Sequence, residues 1–272
     1  DGEHYTTTEK NDDGIKIHKN SFESGEIVET ILNSDDERIS KMGSYQFNLS
    51  EDKILIATNT ESIYRHSSKS VYYIYNTKTK SIKNLTDKQV MYATFSPDGN
   101  YIAYVFENNL YVYNLNWNKT TQITNDGEKN KIINGASDWV YEEEFALVRS
   151  FEWSGDSKTI AYYRFDESKV KEFSMDLFKG GLYPTQEVFK YPKTGEDNSE
   201  VTLHLYDLQT KRTTDLKFEK DYEYFPRIKW FHEENPQLVV YGMNRHQNEI
   251  DFIISDIKGA SSVLFTETDQ YY

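Results

Sequence analysis

Apolar and polar residues alternate along most of this chain, and the alternation comes in two recurring phrases. The first is an alternating aromatic/aliphatic run, then Asn or Asp, a short polar stretch and a Leu/Ile-Thr end. It reads VYYIYNTKTKSIKNLT at 71–86, LYVYNLNWNKTTQIT at 110–124 and LHLYDLQTKRTTDL at 203–216. Looser versions are FIISDIKGASSVLFT at 252–266 and IVETILNS at 27–34. The second phrase sets an aromatic before a polar turn and another alternating run: FNLSEDKILIAT (47–58), FSPDGNYIAYVF (95–106), WSGDSKTIAYYRF (153–165) and WFHEENPQLVVYG (230–242). Alternation with period two predicts strands with one face turned to each side. Ser96-Pro97-Asp98-Gly99 predicts a type I turn, because Pro97 presets φ and Gly99 closes it.

The two phrases interleave in fixed order, which predicts a series of short antiparallel meanders. Four-stranded sheets repeating every 40–50 residues or so are the mark of a β-propeller; the alternative is a β-sandwich with ordinary hairpins. The spacing is uneven: 48 residues from Phe47 to Phe95, 58 from Phe95 to Trp153 and 77 from Trp153 to Trp230. The second interval holds GASDWVYEEEFALV and the third a long insertion beginning DESKVKEF. Insertions into a repeat are usually loops on one face and often carry its function. About five units fit in 272 residues, and the last ends at DQYY without a closing strand. Since a propeller hides its edges by closing, the chain is expected to be part of a longer protein.

Composition narrows the chemistry. Aromatic residues are 15% of the chain, which argues for a folded protein despite the low apolar fraction of 37%. The formal charge of −14 argues against a nucleic-acid partner. There is no Cys, so there are no disulfides and no thiolate metal sites. No apolar run has membrane-spanning length, and the first residues do not form a signal peptide.

One stretch, DWVYEEEF at 138–145, stands apart. It sets Trp139 and Tyr141 beside three consecutive carboxylates, Glu142, Glu143 and Glu144. A run of acids is ordinarily a solvated surface, but its aromatic flanks seek burial. Asp138 or Ser137 is placed to cap a short helical turn. Clustered carboxylates raise one another's pKa, and a cation between them relieves this. A peptide's α-amino group, charged at neutral pH, is one such cation. Ca²⁺ is a rival, ranked lower because the segment lacks the spaced oxygen ligands of a calcium loop.

The DWVYEEEF stretch, with the WSGDSKTIAYYRFDES strand after it, resembles the dipeptidyl peptidase IV family of the prolyl oligopeptidase clan of serine peptidases. IYRHS at 63–67 matches that family's aromatic-Arg-His-Ser motif, and YPKTGEDN at 191–198 also fits. The resemblance runs over nearly the whole chain and is weakest in the first forty residues or so. It implies an eight-bladed propeller, here an N-terminal part over residues 1–272, stacked on a C-terminal α/β-hydrolase domain that is not in this chain. It implies that Glu143 and Glu144 grip a substrate's N-terminal ammonium and that Arg65 binds a substrate carbonyl and steadies the acids. Asp138, Trp139, Tyr141 and Glu142 support them. It further implies release of dipeptides, mostly after Pro or Ala, with no cofactor and no metal, and it is compatible with a homodimer of the full-length protein.

The clan's G-x-S-x-G nucleophile motif is absent, so this chain is expected to be inactive by itself. Sequons at Asn48, Asn84 and Asn118 are expected by chance in an Asn-rich chain. Animal relatives carry propeller disulfides, so the absence of Cys favours a bacterial protein, periplasmic or secreted. Two other readings stay open: a non-catalytic family member that serves as an interaction subunit, and a scaffolding propeller with a merely solvated EEE segment.

Overall fold

The alternating runs form antiparallel strands that pair in chain order. The computed structural model describes residues 2–11, 14–178, 180–231 and 235–271. β1 (His4–Asn11), β2 (Gly14–Ser21) and β3 (Ile27–Ser34) make a three-stranded sheet. A second, four-stranded sheet holds β4 (Met42–Phe47), β5 (Lys53–Ser62), β6 (Ser68–Asn76) and β7 (Ile82–Asn84). The third holds β8 (Met91–Phe95), β9 (Tyr101–Phe106), β10 (Asn109–Asn114) and β11 (Lys119–Gln122).

The fourth sheet departs from the pattern. Its strands are β12 (Ile132–Asn134), β13 (Phe151–Trp153), β14 (Thr159–Asp166), β17 (Glu200–Asp207) and β18 (Arg212–Asp215). β12 and β13 lie along one edge of β14: Ile132 pairs with Asp166, and Phe151 with Tyr162. They are two halves of one interrupted strand. The interruption contains the only α-helix among the described residues, α1 (Trp139–Phe145). Between β14 and β17 the chain leaves the sheet as a separate hairpin of β15 (Glu172–Leu177) and β16 (Thr185–Lys190). A fifth sheet holds β19 (Ile228–Phe231), β20 (Gln237–Met243), β21 (Glu249–Ser255) and β22 (Ser261–Thr268). Of the repeat at 230–242, residues 232–234 lie outside the described residues.

Strand alternation explains the stacking. In β5, Ile54 and Ile56 pack on Ile15, Ile17 and Leu32 of the first sheet, while Leu55 faces Ile102 and Tyr104 of the third. In β9, Ala103 and Val105 face Phe151, Ile160 and Tyr162 of the fourth sheet. In β14, Ala161, Tyr163 and Phe165 turn to Leu238, Val240 and Ile253 of the fifth. Each middle sheet is thus buried on both faces between its sequence neighbours, the arrangement of successive propeller blades. An all-β propeller portion of about five blades is what the repeats predict, though the first sheet has three strands rather than four.

The turns interlock as well. Gly99 takes a φ of +69° and its amide donates to the Ser96 carbonyl at 2.9 Å, closing the predicted turn. A Cβ there would meet Asn48 Nδ2 of the preceding blade at 2.8 Å. On the other side the Asp98 amide donates to Ser157 Oγ of the next blade at 2.9 Å.

Candidate functional site

A helix of seven residues is marginal alone, so α1 depends on its anchors. Asp138 caps it: the Tyr141 amide donates to Asp138 Oδ1 at 2.9 Å, worth about 1 kcal/mol. Ser199 Oγ, from the segment entering β17, donates to the other carboxylate oxygen at 2.6 Å. Burial pushes the Asp138 carboxyl up, against the lowering effect of these donors. Tyr141 is the deepest anchor. Its ring lies edge-on to Phe165 at 4.9 Å and to Phe145 at 5.1 Å, and its hydroxyl accepts from the Phe225 amide at 2.8 Å. Ala146 ends the helix in the left-handed region, with φ 50° and ψ 35°. Trp139, half-buried, packs on Tyr191 with centroids 4.3 Å apart.

The three glutamates take three directions, as their 100° spacing around a helix requires. Glu142 points inward and is 1% exposed. Its Oε1 accepts from the successive amides of His66 and Ser67, at 2.6 and 2.9 Å. These amides belong to the turn between β5 and β6, which is closed by the Ile63 amide donating to the Ser67 carbonyl at 2.8 Å. One carboxylate therefore ties a loop of the second blade to the helix of the fourth, across the third.

Arg65 sits on that tethered turn. Its Nε lies 3.2 Å from Glu143 Oε2, with the Arg65 side chain 71% exposed and that of Glu143 17%. At such exposure the pair contributes only about 0–1 kcal/mol to folding. Its significance is the placement of a guanidinium, on a tethered turn, beside a half-buried carboxylate. Glu144 is exposed and borders an adjoining cleft of 790 Å³, together with Trp139, Tyr191, Lys193, Asn198 and Arg245. The structure thus brings Arg65 and Glu143 together, leaves Glu144 at the cleft beside them, and gives Glu142, Asp138, Trp139 and Tyr141 to the support.

A profile of the dipeptidyl peptidase IV (DPP IV) N-terminal region matches residues 48–272. The chain belongs to this family. The dipeptidyl peptidase 4 of Porphyromonas gingivalis superposes on 100% of the chain and 39% of its own length, with a TM-score of 0.92 and 34% identity. A protein of Tuber melanosporum named probable dipeptidyl-aminopeptidase B is 30% identical over 94% of the chain and 32% of its own length. A Mus musculus protein named inactive dipeptidyl peptidase 10 is 30% identical over 72% of the chain and 26% of its own. The chain therefore spans between a quarter and two fifths of the length of these DPP IV relatives.

Several residues behind the site carried no signal in the sequence. Ser199 holds the helix cap from 61 residues away, and only the nearby YPKTGEDN stretch hinted at its neighbourhood. Arg245 borders the cleft and joins Glu223 Oε1 at 2.9 Å to the Glu196 carbonyl at 2.6 Å. Glu167, 6% exposed, is a buried acid raised to about 7, chiefly by burial and then by Asp138; Lys190 opposes the shift and Asp166 adds to it. In the unfolded chain its pKa is near 4.5. Between those values the folded state holds more protons, so stability falls as pH rises from about 4.5 to 7. Glu167→Gln is expected to stabilise the protein by about 2 kcal/mol at pH 8 and to have little effect at pH 4.5. Urea denaturation at the two pH values checks this; an equal effect at both would contradict it.

Proposed function

We propose that this chain is the substrate-binding propeller portion of a DPP IV-like serine exopeptidase. Glu143 and Glu144 receive the free N-terminal ammonium of a peptide, and Arg65 orients the peptide backbone. A hydrolase domain of the same polypeptide, outside these residues, then releases N-terminal dipeptides of the X-Pro or X-Ala type. The observation that carries this reading is the Arg65–Glu143 pair at 3.2 Å, held by a buried tether between residues more than seventy positions apart.

The chemistry follows from the charges. A lone carboxylate at a surface prefers water to a weakly held ligand. Here the neighbouring guanidinium restricts Glu143, so less freedom is lost when an ammonium arrives. The ammonium offers three donors, and the side chains of Glu143 and Glu144, though set about 100° apart on the helix, are long enough to converge on it. Release of dipeptides over longer fragments rests on the family resemblance, in which these acids block longer N-terminal extensions. The 34% identical bacterial relative and the absence of cysteine support a bacterial protein of the periplasm or exterior.

The test uses the full-length protein and two ligands, Gly-Pro-amide and its N-acetyl derivative. Calorimetry is expected to detect binding of the free amine only, with affinity falling as pH rises through about 8, where the α-amino group loses its proton. Equal binding of the acetylated ligand would remove the ammonium reading.

The mouse relative named inactive supports a second reading, a non-catalytic family member that binds a partner through this propeller. A Gly-Pro chromogenic reporter separates the two: turnover by the full-length protein supports the peptidase, and ligand binding without turnover supports the interaction subunit.

A further inference from the structure

The hairpin of β15 and β16 hydrogen-bonds to no other sheet among the described residues. A two-stranded hairpin alone is marginal in water, so its side-chain packing must hold it. Phe189 is the one buried residue in its two strands, at 6% exposure. Its ring meets that of Tyr64 at 5.7 Å and that of Tyr191 at 6.2 Å. Tyr191 in turn meets Trp139 at 4.3 Å, and Phe173 closes the cluster onto Phe189 and Tyr191 at 6.0 and 5.6 Å.

The two ends of this aromatic chain are informative. Tyr64 immediately precedes Arg65, and Trp139 is the first residue of α1, which carries Glu143. The hairpin base is therefore wedged between the loop that presents the guanidinium and the helix that presents the carboxylate. Tyr64 stands among acids from three segments: Asp138 and Glu142 at the helix, Glu167 after β14 and Glu187 on β16. Burial first, and then these charges, push its hydroxyl up to about 12. It stays neutral, so its ring serves as an apolar body, while Glu142 fixes the amides of His66 and Ser67. The Arg65 turn is thus held from two sides, by a carboxylate and by an aromatic wedge.

We propose that Phe189 is a positioning residue for the Arg65–Glu143 pair, acting through Tyr64, so that the hairpin base is part of the binding apparatus. The inference rests on the reading of Arg65 and Glu143 as ligand-holding groups. Removing the Phe189 ring leaves Tyr64 without its packing partner and lets the Arg65 turn drift relative to the helix. A guanidinium misplaced by even one ångström or so loses most of its orienting value.

The test is Phe189→Ala in the full-length protein, with Gly-Pro-amide as the probe. Its dissociation constant is expected to rise about tenfold, while Phe189→Tyr, which keeps the ring, binds as the parent does. In an Arg65→Ala background the effect of Phe189→Ala should vanish, because its route to the ligand is gone; a purely structural role would give the same loss in both backgrounds. If Phe189→Ala fails to fold, Tyr64→Ala compared with Tyr64→Phe probes the same contact from the other side. A folded Phe189→Ala protein with parental affinity overturns the proposal, as does an undiminished loss in the Arg65→Ala background. Glu143→Gln, measured in parallel, separates the two levels. If it weakens binding and Phe189→Ala does not, the wedge fails alone. If Glu143→Gln binds as the parent does, the reading of the site fails and takes the wedge with it.

Discussion

Glu143→Gln in the full-length protein is expected to weaken binding of free-amino peptides by about a hundredfold and to cut dipeptide release to match. The substitution keeps the side chain's size and removes its charge. A hydrogen bond to a charged group contributes about 1.5–3 kcal/mol. Here the change weakens one such contact, to the incoming ammonium, and also removes the ion pair with Arg65 at 3.2 Å. Folding should hardly change, because the pair is largely exposed on the arginine side and such pairs contribute about 0–1 kcal/mol. The signature is therefore a large loss of affinity with a melting temperature within about two degrees of the parent. Steady-state kinetics beside a thermal melt read both, and near-parental kinetics on a Gly-Pro reporter would end the assignment of Glu143.

Glu142→Ala is expected to damage stability and binding together. The carboxylate is 1% exposed and accepts from two amides. Truncation removes the one oxygen that both amides share, leaving two donors, and an unsatisfied buried donor costs about 1–3 kcal/mol. Loss of a desolvated charge offsets part of this, as does water entering around the exposed His66. A net destabilisation of about 2 kcal/mol remains. The freed turn also releases Arg65, so peptide affinity should fall by about tenfold or more. Glu142→Gln keeps one acceptor oxygen and should retain most of both properties. Denaturant melts and calorimetry on the two variants decide the matter: a Glu142→Ala protein with parental stability would show that the tether has no energetic weight.

These two glutamates show what could be read in advance and what could not. The strands were legible because each apolar face needs a neighbour, so Ile54 and Leu55 on adjacent positions had to serve two different sheets. The capped turn at 138–145 was legible because an Asp before an aromatic-acidic run has few other uses. The split of the three glutamates, with Glu142 buried and Glu143 and Glu144 apart from it, came from the family resemblance and not from any local pattern. In sequence they are identical neighbours, and their roles depend on which way α1 is rolled, which Tyr141 sets by plugging the core between the fourth and fifth blades. The pairing of Arg65 with Glu143 rested on family resemblance, because nothing local links positions 78 residues apart. The long insertion after β14 was expected as a functional loop; it is a hairpin, turned near Gly180 and Gly181. Phe189 is the one buried residue on β16, and no periodicity marks it as such.

The tether from Glu142 to residues 66 and 67 bears on how the molecule comes together. Each sheet closes through contacts between nearby segments, which form early at little entropic cost. The clasp between the second and fourth sheets joins residues 75 and 76 positions apart and must wait for the third to be laid down between them. On a ribosome, the Arg65–Glu143 pairing consequently matures later than the first three sheets. A chain stalled or cleaved before the helix emerges would hold the first sheets without the Glu142 tether.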